Sequence, residues 1–257
     1  YLRSHDDIGW TFDDNDARWE WIDPASHRAF LNQFYIGHFP GSFARGVPFQ
    51  ENPDTGDTRI SGTLASLAGL EQGIHSGDQG QTQMAVRRIL MLYGIILSIG
   101  GIPLIYLGDE VGTLNDYTFA SDPNKADDSR WVHRPRTDWT WWKRAIEDPD
   151  SPHGHIFSGL TRLIELRKQQ VVIADGEAEF VDTGNGHLFG YIRHGAHHRL
   201  LVVASFSSQV QEMDTHLLRG YGAGYLFTDL ISGHTFTAEQ PLRLEPYQCV
   251  WLERCPD

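Results

Sequence analysis

The chain has 257 residues, of which 40% are hydrophobic, so it can form one large domain or two smaller ones around a buried core. Acidic residues outnumber basic ones by 34 to 21, and the resulting net charge of -13 argues against binding to nucleic acid or to anionic membranes. Because no apolar run is long enough to span a membrane and the two cysteines lack metal-ligand spacing, we expect a soluble, cytoplasmic protein. Secretion stays open, since the chain starts without an initiator Met.

The chain begins with YLRSHDD, which reads as the end of a buried strand followed by three titratable residues, His5, Asp6 and Asp7. We therefore predict a strand end at residues 1–4. Residues 8–75 are rich in Gly, Pro, Asp and Asn, which predicts an ordered, loop-dominated insertion. Within it, PASHRAFLNQFYIGHF has apolar residues at helical spacing and predicts one helix.

The next segment alternates between helical and strand patterns. QMAVRRILMLYGIILSIGG predicts a helix that ends at a glycine pair, and HIFSGLTRLIELRKQQ predicts a second amphipathic helix. Between them, IPLIYLG at residues 102–108 is a continuous apolar run, typical of a parallel strand covered on both faces. We therefore expect the upstream segment to lie beside this strand when the chain is well ordered, so that the strand is not exposed to solvent. The order of elements indicates an α/β fold.

From residue 172 onward the sequence consists of short β-rich runs separated by Gly turn signals, which predicts an antiparallel β-sandwich at residues 172–257. Two parallel strands cannot close a sheet, whereas a complete (β/α)8 barrel takes about 250 residues. We therefore interpret residues 1–7 and 76–171 as the C-terminal part of a (β/α)8 TIM barrel, with its last two strands and helices. Residues 8–75 form the inserted subdomain, and most of the barrel is expected upstream.

Acidic pairs follow both predicted barrel strands, where a barrel places its reactive groups. For Asp109 and Glu110, helix capping or structural ion pairing is the better explanation. The SHDD cluster differs, because a cap needs only one acid and His5, Asp6 and Asp7 are adjacent. Three titratable groups after an apolar strand favour a functional site.

RSHDDIGW and GGIPLIYLGDEVGTLND resemble late signature segments of the α-amylase family of glycoside hydrolases. Within that family, RSHDDIGWTF, GSFARGVPFQENPDTGDTRISGT and DDSRWVHRPR are similar to the amylosucrases, and the resemblance runs from barrel strand seven through the C-terminal domain. It implies cleavage of sucrose by a retaining double displacement, transfer of glucose to an α-1,4-glucan and release of fructose. The nucleophile and the general acid are expected on earlier strands, upstream of this chain.

The resemblance also implies roles for individual residues. Asp6 matches the third carboxylate, which stabilises the transition state through the sugar hydroxyls, and His5 matches a residue that binds the same hydroxyl edge. Arg130 matches an arginine that pairs with an upstream acid to close the base of the glucosyl pocket. A surface ion pair is the alternative reading of this arginine.

Three further positions match residues around the neighbouring subsites. Asp7 and Arg59 match residues where fructose leaves and the acceptor enters, and Arg28 matches an arginine that holds an oligosaccharide further out. Surface ion pairing is again the alternative for each arginine. Tryptophans in DWTWW are a further candidate sugar platform, although packing in a helix or interface is the better explanation for them.

The expected partners are sucrose, an α-glucan or maltooligosaccharide acceptor and the upstream part of the same enzyme, with no cofactor and no metal site. Two other functions stay open. A sucrose hydrolase on the same scaffold would pass glucose to water, and a non-catalytic glucan-binding fragment would bind without turnover. Arg28 and Arg59 favour the transferase, because a hydrolase does not need residues that bind a sugar acceptor.

Overall fold

The computed structural model describes residues 1–196, 198–221 and 226–255. The chain divides into two compact units, which we call the sheet unit and the loop unit. The sheet unit comprises Tyr1–Leu2, Val86–Leu104 and Gly154–Asp257, and the loop unit comprises Arg3–Ala85 and Ile105–His153. Among the described residues, no helix combines the length and the hydropathy needed to cross a bilayer.

Most helices precede residue 176 in the chain, and most strands follow it. The helices are α1 (Asp14–Trp19), α2 (Pro24–Tyr35), α3 (Leu64–Leu67), α4 (Leu70–Ser76), α5 (Gln79–Ser98), α6 (Trp139–Glu147), α7 (Pro152–Gln169), α8 (Val171–Asp175) and α9 (Thr215–Gly220). The strands are β1 (Val47–Phe49), β2 (Arg59–Ser61), β3 (Glu177–Val181), β4 (Leu188–His194), β5 (Arg199–Ser205), β6 (Gln211–Met213), β7 (Leu226–Asp229), β8 (Thr235–Thr237), β9 (Leu242–Leu244) and β10 (Cys249–Arg254). Short 3-10 turns cover Asp109–Val111, Tyr117–Ser121 and Ser129–His133.

The three helices predicted from apolar spacing are present as α2, α5 and α7. Local chemistry explains their ends. Asp23 caps α2 by accepting a hydrogen bond from the Ser26 backbone N–H at 2.8 Å, and proline occupies the first helical position. Helix α5 ends before Gly100 and Gly101, whose φ angles of 109° and 65° only glycine adopts readily.

The predicted antiparallel β domain is present in the sheet unit. A six-stranded sheet has the order β3-β4-β5-β10-β7-β8, and β6 pairs with β9 in a second, two-stranded sheet. Both sheets contribute to one apolar core, because side chains of β4, β5, β7 and β10 are buried together with those of β6 and β9. Trp251 and Tyr191 attach helix α5 to this domain: Trp251 Nε1 donates to the Gly94 carbonyl at 3.1 Å, and the Tyr191 and Ser98 hydroxyls lie 2.6 Å apart.

The strand predictions at residues 1–4 and 102–107 are wrong for this structure, in which neither segment is a strand. The expected coverage of the second segment is also wrong, since Ile102 is 98% exposed and Leu104 and Leu107 are exposed as well. The physical reason is that a parallel strand is defined by hydrogen bonds to neighbouring strands. No described strand pairs with either segment.

The loop unit contains a hairpin that the sequence did not predict. Strands β1 and β2 are antiparallel, and their register pairs Phe49 with Arg59 and Pro48 with Ile60. Ile8 adds an antiparallel β-bridge to β2: its backbone N–H and carbonyl form hydrogen bonds of 2.8 and 2.9 Å with Ile60. The SHDD segment, which ends one residue before Ile8, is thereby fixed beside this hairpin.

Candidate functional site

The candidate site is built from the SHDD segment, the β1–β2 hairpin and the 3-10 turn at Ser129–His133. The bridge at Ile8 places Asp7 next to Arg59 of β2, with 3.6 Å between Asp7 Oδ2 and Arg59 Nη1. The 3-10 turn is attached to the other strand, since the Ser129 hydroxyl donates to the Pro48 carbonyl at 2.8 Å. One hairpin therefore holds both sides of the site.

Asp6 and Arg130 form the central ion pair. Arg130 Nη1 donates to Asp6 Oδ1 at 3.0 Å. The rest of the guanidinium is fixed by Asp128, which accepts from Nε at 2.9 Å and from Nη2 at 3.0 Å, and it packs over the Phe49 ring at 4.5 Å. Such a two-pronged pair orients the guanidinium more strictly than one contact does, so Arg130 presents Nη1 to Asp6 in a fixed direction.

These contacts shift the pKa values of the two adjacent carboxylates, Asp6 and Asp7, in opposite directions. The hydrogen bond from Arg130 lowers the pKa of Asp6 well below its usual range, with further help from the backbone of Asp7. The pKa of Asp7 is raised, first by burial of its side chain, which is 9% exposed, and then by the neighbouring Asp6. Asp6 is therefore the carboxylate that stays ionised over a wide pH range.

His5 is exposed, and its position is set through its backbone. The His5 carbonyl accepts a hydrogen bond from Arg134 Nε at 2.7 Å and a second one from Arg134 Nη2. Arg134 Nη1 also lies 3.8 Å from Asp128 Oδ2, so Asp128 orients both arginines. Sequence reasoning missed Arg134, although it lies within the quoted motif DDSRWVHRPR.

Two buried residues, Arg3 and His133, support the SHDD segment through hydrogen bonds. Arg3 donates to the Gly62 carbonyl at 2.9 Å and to the Asp6 carbonyl at 2.8 Å, and His133 Nδ1 accepts from the Gly62 N–H at 3.2 Å. Burial lowers the pKa of His133 to about 4, so the ring is neutral near pH 7. Since Nδ1 accepts from a backbone N–H, the ring proton is assigned to Nε2. Neither residue was predicted, because nothing in the sequence marks this long-range contact.

Arg28 is not brought to this cluster by any hydrogen bond or ion pair among the described residues. Its guanidinium donates to the carbonyls of Trp10 at 3.1 Å and Phe12 at 3.0 Å, and to Asp14 Oδ1 at 2.5 Å. It also packs over the Phe12 ring at 4.5 Å. In this structure Arg28 connects helix α2 to the start of helix α1.

For the second acidic pair, Asp109 and Glu110, the contact of Glu110 agrees with the capping role expected from the sequence. Glu110 Oε2 accepts a hydrogen bond from the Gly108 backbone N–H at 2.7 Å, and the Asp109 side chain is buried.

A cavity of about 240 Å³ lies nearby and is lined in part by His133, Arg134 and Trp141. The DWTWW motif begins helix α6, with Asp138 as its N-cap. Trp139 and Trp141 are exposed, at 64% and 37%, so the packing explanation of these tryptophans stays a prediction.

Comparison with protein families identifies the C-terminal β domain. Residues 185–253 match the family model described as the amylosucrase C-terminal domain. The match covers β4 to β10, the strands that build most of the two-sheet core.

Two curated enzymes are similar over a longer stretch. Glucosylglycerate phosphorylase of Escherichia coli K12 is 25% identical over 167 residues, which cover 65% of this chain and 28% of that protein. Cyclomaltodextrinase of Geobacillus thermopakistaniensis is also 25% identical over 167 residues, covering 63% of this chain and 24% of that protein. The chain thus spans about a quarter of the length of these relatives.

Among solved structures, AmyP in complex with maltotriose superposes with a TM-score of 0.55 over 74% of this chain and 38% of its own, at 15% identity. At that identity the similarity concerns the fold. Together with the family match, these comparisons confirm that the chain resembles the C-terminal portion of the amylosucrases of the α-amylase family, with residues 185–253 matching the amylosucrase C-terminal domain.

Proposed function

We propose that this chain is the C-terminal portion of an amylosucrase-like glucosyltransferase, which cleaves sucrose, retains the anomeric configuration and passes glucose to an α-1,4-glucan. The observation that carries the proposal is the pair of adjacent carboxylates, Asp6 and Asp7, each held by its own arginine. Arg59 lies on the β1–β2 hairpin, and Arg130 lies in the 3-10 turn attached to it. Residues 1–7 and 76–171 then belong to the end of the barrel. The nucleophile and the general acid belong to the upstream part of the same enzyme.

Asp6 is the catalytic residue in this portion. Its carboxylate stays ionised because Arg130 lowers its pKa, so it accepts hydrogen bonds from two adjacent hydroxyls of the glucosyl ring. Such charge-assisted bonds strengthen when the ring gains positive charge in the oxocarbenium-like transition state. His5, exposed beside it, binds the same hydroxyl edge.

Arg130 acts as a positioning residue for Asp6 and closes the end of the glucosyl pocket. Asp128 and Phe49 fix its guanidinium, so the orientation of Asp6 depends on a preformed contact. A closed end restricts the donor side of the site to a single glucose unit, which agrees with sucrose as the donor.

Asp7 and Arg59 form the acceptor side. Arg59 is 56% exposed and reaches Asp7 at 3.6 Å, so much of its guanidinium is accessible to the hydroxyls of an incoming glucan. Arg28 supports the acceptor side indirectly, by fixing the segment that leads into helix α1.

The proposal is tested by replacing Asp6 in the intact enzyme and measuring fructose release from sucrose. Asp6→Asn keeps the shape of the side chain and removes its charge, and we expect kcat to fall by about a thousandfold, as for loss of a dedicated transition-state contact. Asp54→Asn changes an exposed aspartate in a turn and serves as the matched control. A loss of less than about tenfold for Asp6→Asn would remove Asp6 from the reaction.

A further inference from the structure

The backbone of the SHDD segment is held by two arginines that come from different parts of the chain. Arg134, which follows the 3-10 turn at Ser129–His133, donates to the His5 carbonyl, and Arg3 donates to the Asp6 carbonyl at 2.8 Å. Because peptide groups are planar, a fixed carbonyl also fixes the plane that joins its residue to the next one. Consecutive peptide planes of the segment therefore have fixed orientations, and these orientations determine where its side chains point.

The His5 ring depends on this backbone contact more than the Asp6 side chain does. Asp6 has a second anchor, because Arg130 binds its carboxylate at 3.0 Å. The imidazole ring of His5 makes no hydrogen bond, ion pair or ring contact within the part of the chain that the structure describes. Its direction is therefore set by the His5 backbone, and Arg134 is the residue whose side chain holds the carbonyl of that backbone.

Arg134 binds this carbonyl with two donors. Its Nε lies 2.7 Å from the His5 oxygen, and its Nη2 donates to the same atom, so one edge of the guanidinium faces one carbonyl. A lysine ammonium at the end of a flexible stem cannot reproduce this planar pair of donors. The contact thus requires the geometry of the arginine side chain as well as its positive charge.

The guanidinium of Arg134 is itself held by two further residues. Asp128 Oδ2 lies 3.8 Å from Arg134 Nη1, and the guanidinium carbon lies 5.7 Å from the centre of the Trp131 ring. The same ring also contacts Lys125, whose Nζ lies 4.9 Å from its centre. Since the Arg134 side chain is only 20% exposed, these contacts leave it little freedom to move away from His5.

We propose that Arg134 is a positioning residue for the donor site: it fixes the His5 ring at the hydroxyl edge of the glucosyl unit without touching the sugar. The inference rests on the proposed function, in which His5 binds that edge beside Asp6. Asp128 then anchors both sides of the edge, because it holds Arg130, the partner of Asp6, as well as Arg134. A displacement of about 1 Å in such a group is enough to cost about a hundredfold in rate.

The rate test is a double-mutant cycle in the intact enzyme, measured by fructose release from sucrose. We expect Arg134→Ala to lower kcat by about a hundredfold with a smaller change in KM, because the hydroxyl contacts strengthen in the transition state. In a His5→Ala background the same change should cost about twofold or less, since a residue that acts through His5 has no further effect once the ring is gone. Arg136→Ala removes a nearby exposed arginine and is the matched control. An equal cost of Arg134→Ala with and without the His5 ring would overturn the proposal.

A second measurement does not depend on turnover. The intact enzyme is prepared with isotope-labelled histidine, and the His5 ring signals are assigned in NMR spectra by their absence from His5→Ala. We expect these signals to shift or broaden in Arg134→Ala and to stay unchanged in Arg136→Ala. Arg134→Lys keeps the positive charge beside Trp131 and loses the paired donors, so it should show the same change and carries the test if Arg134→Ala does not fold.

Unchanged His5 signals in the folded Arg134 variants would overturn the positioning role, whatever the enzyme does with sucrose. Altered His5 signals in an enzyme that releases no fructose from sucrose would support the positioning role and refute the proposed function. The two failures are thereby distinguished.

Discussion

Phe49 and Arg59 are paired across the β1–β2 hairpin, and each contacts a different one of the two ion pairs. The Phe49 ring supports the guanidinium of Arg130, which binds Asp6, whereas Arg59 itself binds Asp7. The register of this hairpin, whose strands are three residues long, thus determines how the Asp6 and Asp7 ion pairs are placed. A shift of one residue would move both partners to the opposite face of the hairpin.

Arg130 should control the ionisation of Asp6. Because its hydrogen bond is the largest cause of the lowered pKa, Arg130→Ala should raise the pKa of Asp6 toward 3.8. Arg130→Lys should restore only part of the shift, because lysine keeps the charge and loses the forked geometry. The measurement is an NMR titration of the Asp6 carboxyl carbon in each variant. An unchanged midpoint in Arg130→Ala would contradict the ion pair.

His133 should make stability depend on pH. Its pKa is about 4 in the folded protein against 6.5 for an unperturbed histidine, so the unfolded chain takes up the proton first as pH falls. The stabilisation is fully present above pH 6.5 and is lost progressively toward pH 4. His133→Asn keeps an acceptor for the Gly62 N–H but cannot titrate, so it should flatten this part of the curve.

The curve is measured by urea unfolding at several pH values between 4 and 7.5, with the two proteins compared at each pH. The slope is the informative quantity, because the substitution also removes ring volume and lowers stability at every pH. Parallel curves for the two proteins would show that His133 does not titrate as inferred.

Arg59 should affect how the glucosyl group is divided between glucan and water more than it affects the rate of sucrose cleavage. It is exposed beside Asp7, so Arg59→Ala should leave the fold intact and increase the share of glucose released to water by about tenfold or more, as for loss of one charge-assisted hydrogen bond. Arg243→Ala removes a comparably exposed arginine in the sheet unit and is the control. A product ratio that is the same in both variants would exclude Arg59 from the acceptor side.

Arg28 should matter first for stability. Its guanidinium makes three hydrogen bonds, to Trp10, Phe12 and Asp14, and Arg28→Ala should cost about 1–3 kcal/mol of unfolding free energy. Arg28→Lys should rescue little of this loss, because one ammonium cannot reach all three acceptors in a forked geometry. Urea unfolding of both variants measures the effect, and full stability of Arg28→Ala would argue against the anchoring role.

The sequence predicted those parts of the fold that are encoded locally. Apolar spacing and end signals were sufficient for α2, α5 and α7, and the alternation after residue 172 was sufficient for the β domain. The segment at residues 102–107 shows the limit of such patterns. An apolar run indicates that a strand can form, but the strand itself needs partners, and none is paired with it among the described residues.

The site was predictable to the extent that its residues lie in recognisable motifs. Asp6, Asp7, Arg59 and Arg130 were identified in this way, and the structure brings them together. Arg3 and the other buried supporting groups could not be found, because their contacts join positions 59 to 130 residues apart. Their signal is three-dimensional: burial of a charged or titratable side chain against backbone groups.

The most direct test of the proposed activity is to incubate the intact enzyme with sucrose and an α-glucan acceptor and to follow fructose and free glucose together. Glucosyl transfer predicts that fructose is released well in excess of glucose, with the missing glucose recovered in lengthened glucan. Equal amounts of fructose and glucose would contradict transfer and identify a sucrose hydrolase. Release of neither sugar would contradict any action on sucrose and leave glucan binding as the remaining activity.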